Sequence, residues 1–193
     1  MTSYLLAGPA QEPISLAQAK AFLRIEDENT AEDGLIQTLI TAARLHLEGV
    51  TQKALLAQSW RLVLDGWPPD RVVHLPVGPV RALLAVTAYG ADGEPVAVPL
   101  VQFGTLPGGG TRLVLPARIV GAPGLRAHSG IEIDYEAGYG ETADDVPADL
   151  RQALLVLVGY WFEHRDAVIV AGSGAVVPAG FDRLVAGHKA VRL

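Results

Sequence analysis

The densest concentration of potentially reactive side chains lies in IEIDYEAGYGETADDVPADLRQALL, Ile131 to Leu155. Glu132, Asp134, Glu136, Glu141, Asp144, Asp145 and Asp149 fall there between two apolar segments. Carboxylates at this density can hold a divalent cation or divide acid and base roles. A calcium loop of the EF-hand kind needs glycine at its sixth position and a bidentate acid at its twelfth. Counted from Asp134, the sixth residue is Tyr139. Acid–base work needs two carboxylates held across a cleft, whereas Glu132, Asp134 and Glu136 alternate with Ile131, Ile133 and Tyr135. That alternation is a strand with one wet face. The later acids suit the positive end of a following helix. The run is expected to be strand, turn and helix start.

The other candidates are weaker. His46, His74, His128, His164 and His188 include no pair three or four residues apart, so no local metal pair exists. Structural roles are expected for His46 and for His164, near a helix end where a cation suits the dipole. AGSGA (Ala171–Ala175) lacks the spacing of a nucleophile elbow, and PGGGT (Pro107–Thr111) lacks the lysine of a phosphate loop. The chain has no cysteine, hence no disulfide, thiol nucleophile or thiolate metal site. No catalytic, cofactor-binding or metal-ligating residue is expected, and no cofactor.

Those residues sit in a chain of 193 that is 50% hydrophobic, with a net charge of -6. Such a chain buries a substantial core, and its acidity argues against a nucleic-acid coat. The N-terminus lacks a signal-peptide pattern, and LLVLVGYWF (Leu154–Phe162) is too short to span a bilayer. A protein soluble in the cytoplasm at synthesis is expected.

Ser15 with Gln18 forms a capping box ahead of Leu16, Ala19, Phe22 and Leu23 at helical spacing. A second helix is expected from Asn29 or Thr30 as cap, with Leu35, Ile36, Leu39, Ile40, Ala43 and Leu47 as its buried stripe and Gly49 near its end. From Gln58 the period falls toward two: Trp60, Leu62 and Leu64 alternate with Arg61, Val63 and Asp65, and YGADGEP (Tyr89–Pro95) reads as a hairpin turn. Pro147 then opens a third helix carrying Leu150, Leu154, Leu157, Val158, Trp161 and Phe162. Val156, Gly159 and Tyr160 widen its apolar surface beyond one stripe.

The expected class is α+β: a small antiparallel bundle of three main helices, an inserted antiparallel β-rich subdomain and an extended C-terminal tail. The boundaries are 1–56 for the helical hairpin, 57–140 for the insertion, 141–166 for the third helix and 167–193 for the tail.

PISLAQAKAFLRIEDENTAEDGLIQTLITAARLHLEGVTQKAL resembles the N-terminal signature of the phage head–tail connector (adaptor) family. YEAGYGETADDVPADLRQALLVLVGYWFEHRD, with its Ala-Gly-Tyr-Gly turn and Val-Pro helix start, resembles the family's C-terminal half. QSWRLVLDGWP looks like the opening of the β-insertion in its longer members, found in tailed phages and gene transfer agents. The resemblance implies a non-enzymatic structural protein of the virion neck that forms a ring, commonly of twelve copies. Such a ring joins the portal to a downstream stopper or tail protein. DNA passes through without specific binding, and no membrane is involved. The resemblance also implies that the C-terminal segment reaches the portal. Here that would involve Val177, Pro178, Phe181, Arg183, Leu184, His188, Lys189, Arg192 and Leu193, and removing Val176–Leu193 would leave a folded protein unable to join the portal. Glu132, Asp134 and Glu136 are expected on an acidic inner face that repels passing DNA.

Three alternatives stand beside it. The first is another neck part, a stopper or tail-completion protein. The second is a carbohydrate-binding β module using Trp60, Trp67 and Tyr89 as stacking platforms. The third is a carboxylate hydrolase at Asp144 or Asp145, for which no paired geometry is visible.

Overall fold

The computed structural model describes residues 1–105, 111–164 and 177–189. They fall into two compact units: Met1–Ala10 with Ala57–Tyr139, and Gln11–Leu56 with the chain from Gly140 onward.

The first unit is antiparallel β. Strands β1 (Thr2–Ala7), β2 (Gln58–Leu64), β4 (Val80–Tyr89), β5 (Pro95–Ala97) and β8 (Ile131–Ala137) form one sheet in the order β1-β2-β8-β4-β5. Strands β3 (Val72–His74), β6 (Gly104–Thr105) and β7 (Arg112–Val114) form a second, ordered β3-β7-β6. The acidic strand β8 is therefore central. Its register pairs Ile133 with Leu62 on one side and Val86 on the other, and Tyr135 with Trp60 and Leu83. Ile131, Ile133 and Tyr135 are fully buried, so the period-two alternation locates the core face as expected. The hairpin at Tyr89–Pro95 also forms: Gly93 has φ 83° and donates its N–H to the Gly90 carbonyl at 2.9 Å.

The first ten residues correct one expected boundary. They were assigned with the helical hairpin, yet TSYLLA has neither cap nor helical period, and it pairs with β2 from Thr2↔Val63 to Ala7↔Ser59. Backbone pairing decides their place.

The second unit is helical. Helix α1 (Leu16–Leu23) starts at the capping box read from the sequence, with Ser15 Oγ accepting from Gln18 N at 3.1 Å and Gln18 Oε1 accepting from Ser15 N at 2.8 Å. Helix α2 (Asp33–Thr51) buries Ile36, Leu39, Ile40, Ala43 and Leu47. Its N-cap is Glu32 and not Asn29 or Thr30; Asn29 Oδ1 instead accepts from Ala31 N at 3.3 Å, and Gly49 lies within the helix, which ends at Gln52 in the left-handed region. Helix α3 (Ala148–Glu163) follows Pro147 as its cap, one residue before the expected helical position, and buries Leu150, Leu154, Leu157, Val158 and Trp161. Helix α4 (Phe181–Val185) packs on α3.

Two buried cations escape a hydrophobicity reading. Lys20 Nζ donates to the carbonyls of Asp27 at 2.7 Å and Asn29 at 2.8 Å, and pairs with Asp33 at 3.0 Å, fixing the α1–α2 turn. Arg44 sits inside the α2 stripe, held by Glu12 at 2.7 Å and Glu48 at 3.1 Å. Burial opposes its charge, but the hydrogen bonds and charges of Glu12 and Glu48 outweigh that and raise its pKa. A buried cation is tolerated only when paired in this way.

Candidate functional site

The acidic face of β8 is an ion-pair ladder. Arg61, directly opposite Asp134 in the β2–β8 register, grips it with both ends of its guanidinium, Nε to Oδ1 at 2.6 Å and Nη2 to Oδ2 at 2.7 Å. The same arginine reaches Glu132 at 2.9 Å. Hydrogen bonding to Asp134 is the main cause that holds Arg61 further above its already high pKa. On the β4 side the register shifts between Val80 and Ala82, and Arg81, in that irregularity, pairs with Glu136 at 2.7 Å. Tyr89 donates its hydroxyl to Glu132 at 3.0 Å, while the Arg126 guanidinium lies 4.2 Å over its ring. Burial, then the Glu132 carboxylate, raise the Tyr89 pKa.

The ladder partly neutralises the stripe expected on a DNA-repelling acidic face. Three carboxylates meet two arginines, so the stripe keeps one formal negative charge, and none of the three side chains is freely solvated.

The helical unit carries the other candidate surfaces. An outward groove of about 410 Å³ lies between α1 and the first half of α3, with Phe22 as one wall and Leu155 across from it. Phe22 is 43% exposed although helical spacing placed it in the core. Its ring lies so close to Gly159 that a Cβ there would stand 2.9 Å from it, so part of α3's surplus apolar surface serves α1. On α2, Leu45 is 58% exposed on the side opposite the buried stripe.

Against this geometry, a family model for the phage gp6-like head–tail connector protein matches residues 13–91. Over those residues the chain is similar to a head–tail connector domain. Three solved structures are similar over 100% of this chain and 97% of theirs. One is the neck of an empty GTA particle computed with C6 symmetry (26% identity, TM-score 0.79). Another is the virion of a native gene transfer agent particle (25%, 0.78). The third is the neck of a native GTA particle computed with C12 symmetry (25%, 0.71). No curated protein matches the chain.

The matched region runs from Pro13 through α1, α2, β2 and β3 to just past β4. The expected α+β fold, a helical bundle with an antiparallel β-rich part, is the fold observed. The expected docking tail is only partly a tail. Phe181 and Val185 are fully buried, and Phe181 packs 5.7 Å from His46, which itself meets Trp161 edge-on at 5.7 Å. His188 contacts Asp149 at 2.7 Å, and Lys189 pairs with Asp182 at 2.8 Å. Removing 176–193 would strip two core side chains, Phe181 and Val185, from the helical unit, which weighs against the expectation that the truncated protein stays folded. Arg183 is exposed, and Val177, Pro178 and Leu184 are half-exposed. Arg192 and Leu193 lie outside the described residues, as does AGSGA and, but for Thr111, PGGGT.

The aromatic trio does not make one platform. Trp60 donates to Gln58 at 3.2 Å, Trp67 lies 6.3 Å from Phe103, and Arg126 covers Tyr89. His46 and His164 have the structural surroundings expected: desolvation lowers the His46 pKa, and His164 stacks on Tyr160 at 4.4 Å. Sequence reasoning missed the groove and Leu45. A leucine half a turn from a helix's buried stripe was the available signal.

Proposed function

We propose that the protein is the head–tail connector, or adaptor, of a tailed-phage or gene-transfer-agent particle, built into the neck as a ring of twelve copies. The carrying observation is full-length likeness to neck structures, one of them of C12 symmetry, in a chain similar to a connector domain over residues 13–91. The ring links the portal on one side to a stopper or tail protein on the other, and DNA passes through it unbound.

The portal-facing element is the C-terminal segment. Within it, exposed Arg183 and half-exposed Leu184 on α4 are available for a partner, whereas Phe181 anchors the segment in its own chain. A non-enzymatic role is supported by the chemistry of the acids. Those of β8 are tied to arginines, Asp145 to the Thr142 cap, and Asp144 and Asp149 to Arg151 and His188. Among the described residues, no helix is long and apolar enough to cross a membrane.

Particles from cells deleted for this chain test the role by electron microscopy. Filled or empty heads bearing a portal but no tail are expected, with joining restored by the wild-type chain. Normally joined particles would overturn the proposal. A ring found against the tail and away from the portal would make the protein a stopper.

A further inference from the structure

A ring closes only if each copy offers two different, complementary patches, because a head-to-tail contact joins unlike surfaces. The helical unit has such a pair. At 3.6 residues per turn, Leu45 lies half a turn around α2 from buried Ile36. Ala148 and Leu155 lie on the half of α3 turned away from buried Leu150, and Ala21 on the half of α1 turned away from buried Ala19. Because α1, α2 and α3 all pack on one another through their buried stripes, the groove and Leu45 occupy opposite outer surfaces of the unit.

Their chemistry also fits. Ile14, Phe22 and Leu155 give the groove its apolar lining, beside the polar Gln18, Arg151 and Gln152. The two threonine hydroxyls beside Leu45 already have acceptors: Thr38 Oγ1 donates to the Gly34 carbonyl at 2.9 Å, and Thr41 Oγ1 to Glu12 at 2.9 Å. Covering this ridge therefore strands neither hydroxyl, the usual cost of burying threonine. One projecting leucine meets one open groove.

We propose that the groove between α1 and α3, walled by Phe22 and Leu155, receives Leu45 of α2 from a second copy of this chain. The proposal rests on the ring reading above and supplies its lateral contact.

The absence of cysteine makes the test direct. The full-length double variant Ala21→Cys/Leu45→Cys, oxidised mildly, should give a ladder of cross-linked species up to the closed ring. Either single variant should give none. Leu45→Glu should keep its circular dichroism and thermal midpoint yet assemble at least about tenfold more weakly, the loss expected when a central anchor is removed. Assembly is followed in parallel by mass photometry. Rings without a ladder would overturn this contact and leave the connector role standing. Dimers from a single variant would replace it with a two-fold contact. A chain monomeric at every concentration, with no ladder, would overturn this contact, while the ring itself is decided separately by the particle microscopy above.

Discussion

The two halves of the acidic run behave differently although they read alike. In β8, Glu132, Asp134 and Glu136 find their partners far along the chain, in Arg61 and Arg81. Beyond the Gly138–Gly140 turn Asp144 and Asp145 work locally, and Asp149 reaches further, to His188. Asp145 closes a capping box with Thr142, accepting from its N–H at 2.9 Å and its hydroxyl at 2.8 Å, and Asp144 pairs with Arg151 at 3.0 Å. Gly140 makes room for that box, since a Cβ there would meet the Asp145 side chain at 2.2 Å. Residue type alone does not say whether a carboxylate is solvent-facing, a cap or half of a cross-strand pair. How deeply the pair is buried sets how much stability hangs on it.

The sharpest way to break the contrast is Arg61→Ala. It leaves Asp134 part-buried without its ion pair and Glu132 with only the Tyr89 hydroxyl, and is expected to cost about 2 kcal/mol, between an exposed pair and a fully buried one. Urea unfolding measures it. Adding Glu132→Gln and Asp134→Asn to the same chain should recover most of the loss, and no recovery would refute the charge explanation.

Asp145→Ala removes the cap and is expected to cost about 1 kcal/mol, with the α3 start fraying in hydrogen exchange. A cost equal to that of Arg61→Ala would erase the distinction between the halves.

Asp149 offers a pH test. Burial pushes its carboxyl up, but the His188 hydrogen bond and charge, together with the backbone N–H groups of Leu150 and Asp149, outweigh this, and the net pKa is lowered. A carboxyl lowered in the folded state adds stability that is present above the unfolded pKa, about 3.9, and lost as pH falls through the folded value. Thermal melts should therefore decline on acidification below about pH 4, less steeply in Asp149→Asn. Equal slopes would show that the His188 contact does not hold α4 down.

Asp144→Ala should be the mildest, within about 0.5 kcal/mol, because its pair with Arg151 is exposed. A larger loss in the same melts would mean that Asp144 does more than its geometry shows.

Features governed by neighbours in sequence were legible beforehand. They include the Ser15–Gln18 box, the α2 stripe, the Tyr89–Pro95 turn and the alternation of β8. Their determinants are caps, periodicity and glycine freedom, which act over a few residues. The connector resemblance was legible too, because it lies in the order of these local elements. The arginine ladder was not: it depends on strand register across 73 positions between Arg61 and Asp134. Nor was the burial of Phe181, which needs α3, Trp161 and His46 to be in place.

The sequence by itself thus determined the helices, the strands, the wet face of β8 and the absence of thiol chemistry, since each follows from residue type and short spacing. Only the tertiary structure decided that β8 is central, that its acids are paired, and that α4 belongs to the helical unit. The same holds for Leu45 and the Phe22 groove facing opposite ways. Each of these depends on which surfaces meet after folding, and burial and charge pairing are properties of that meeting.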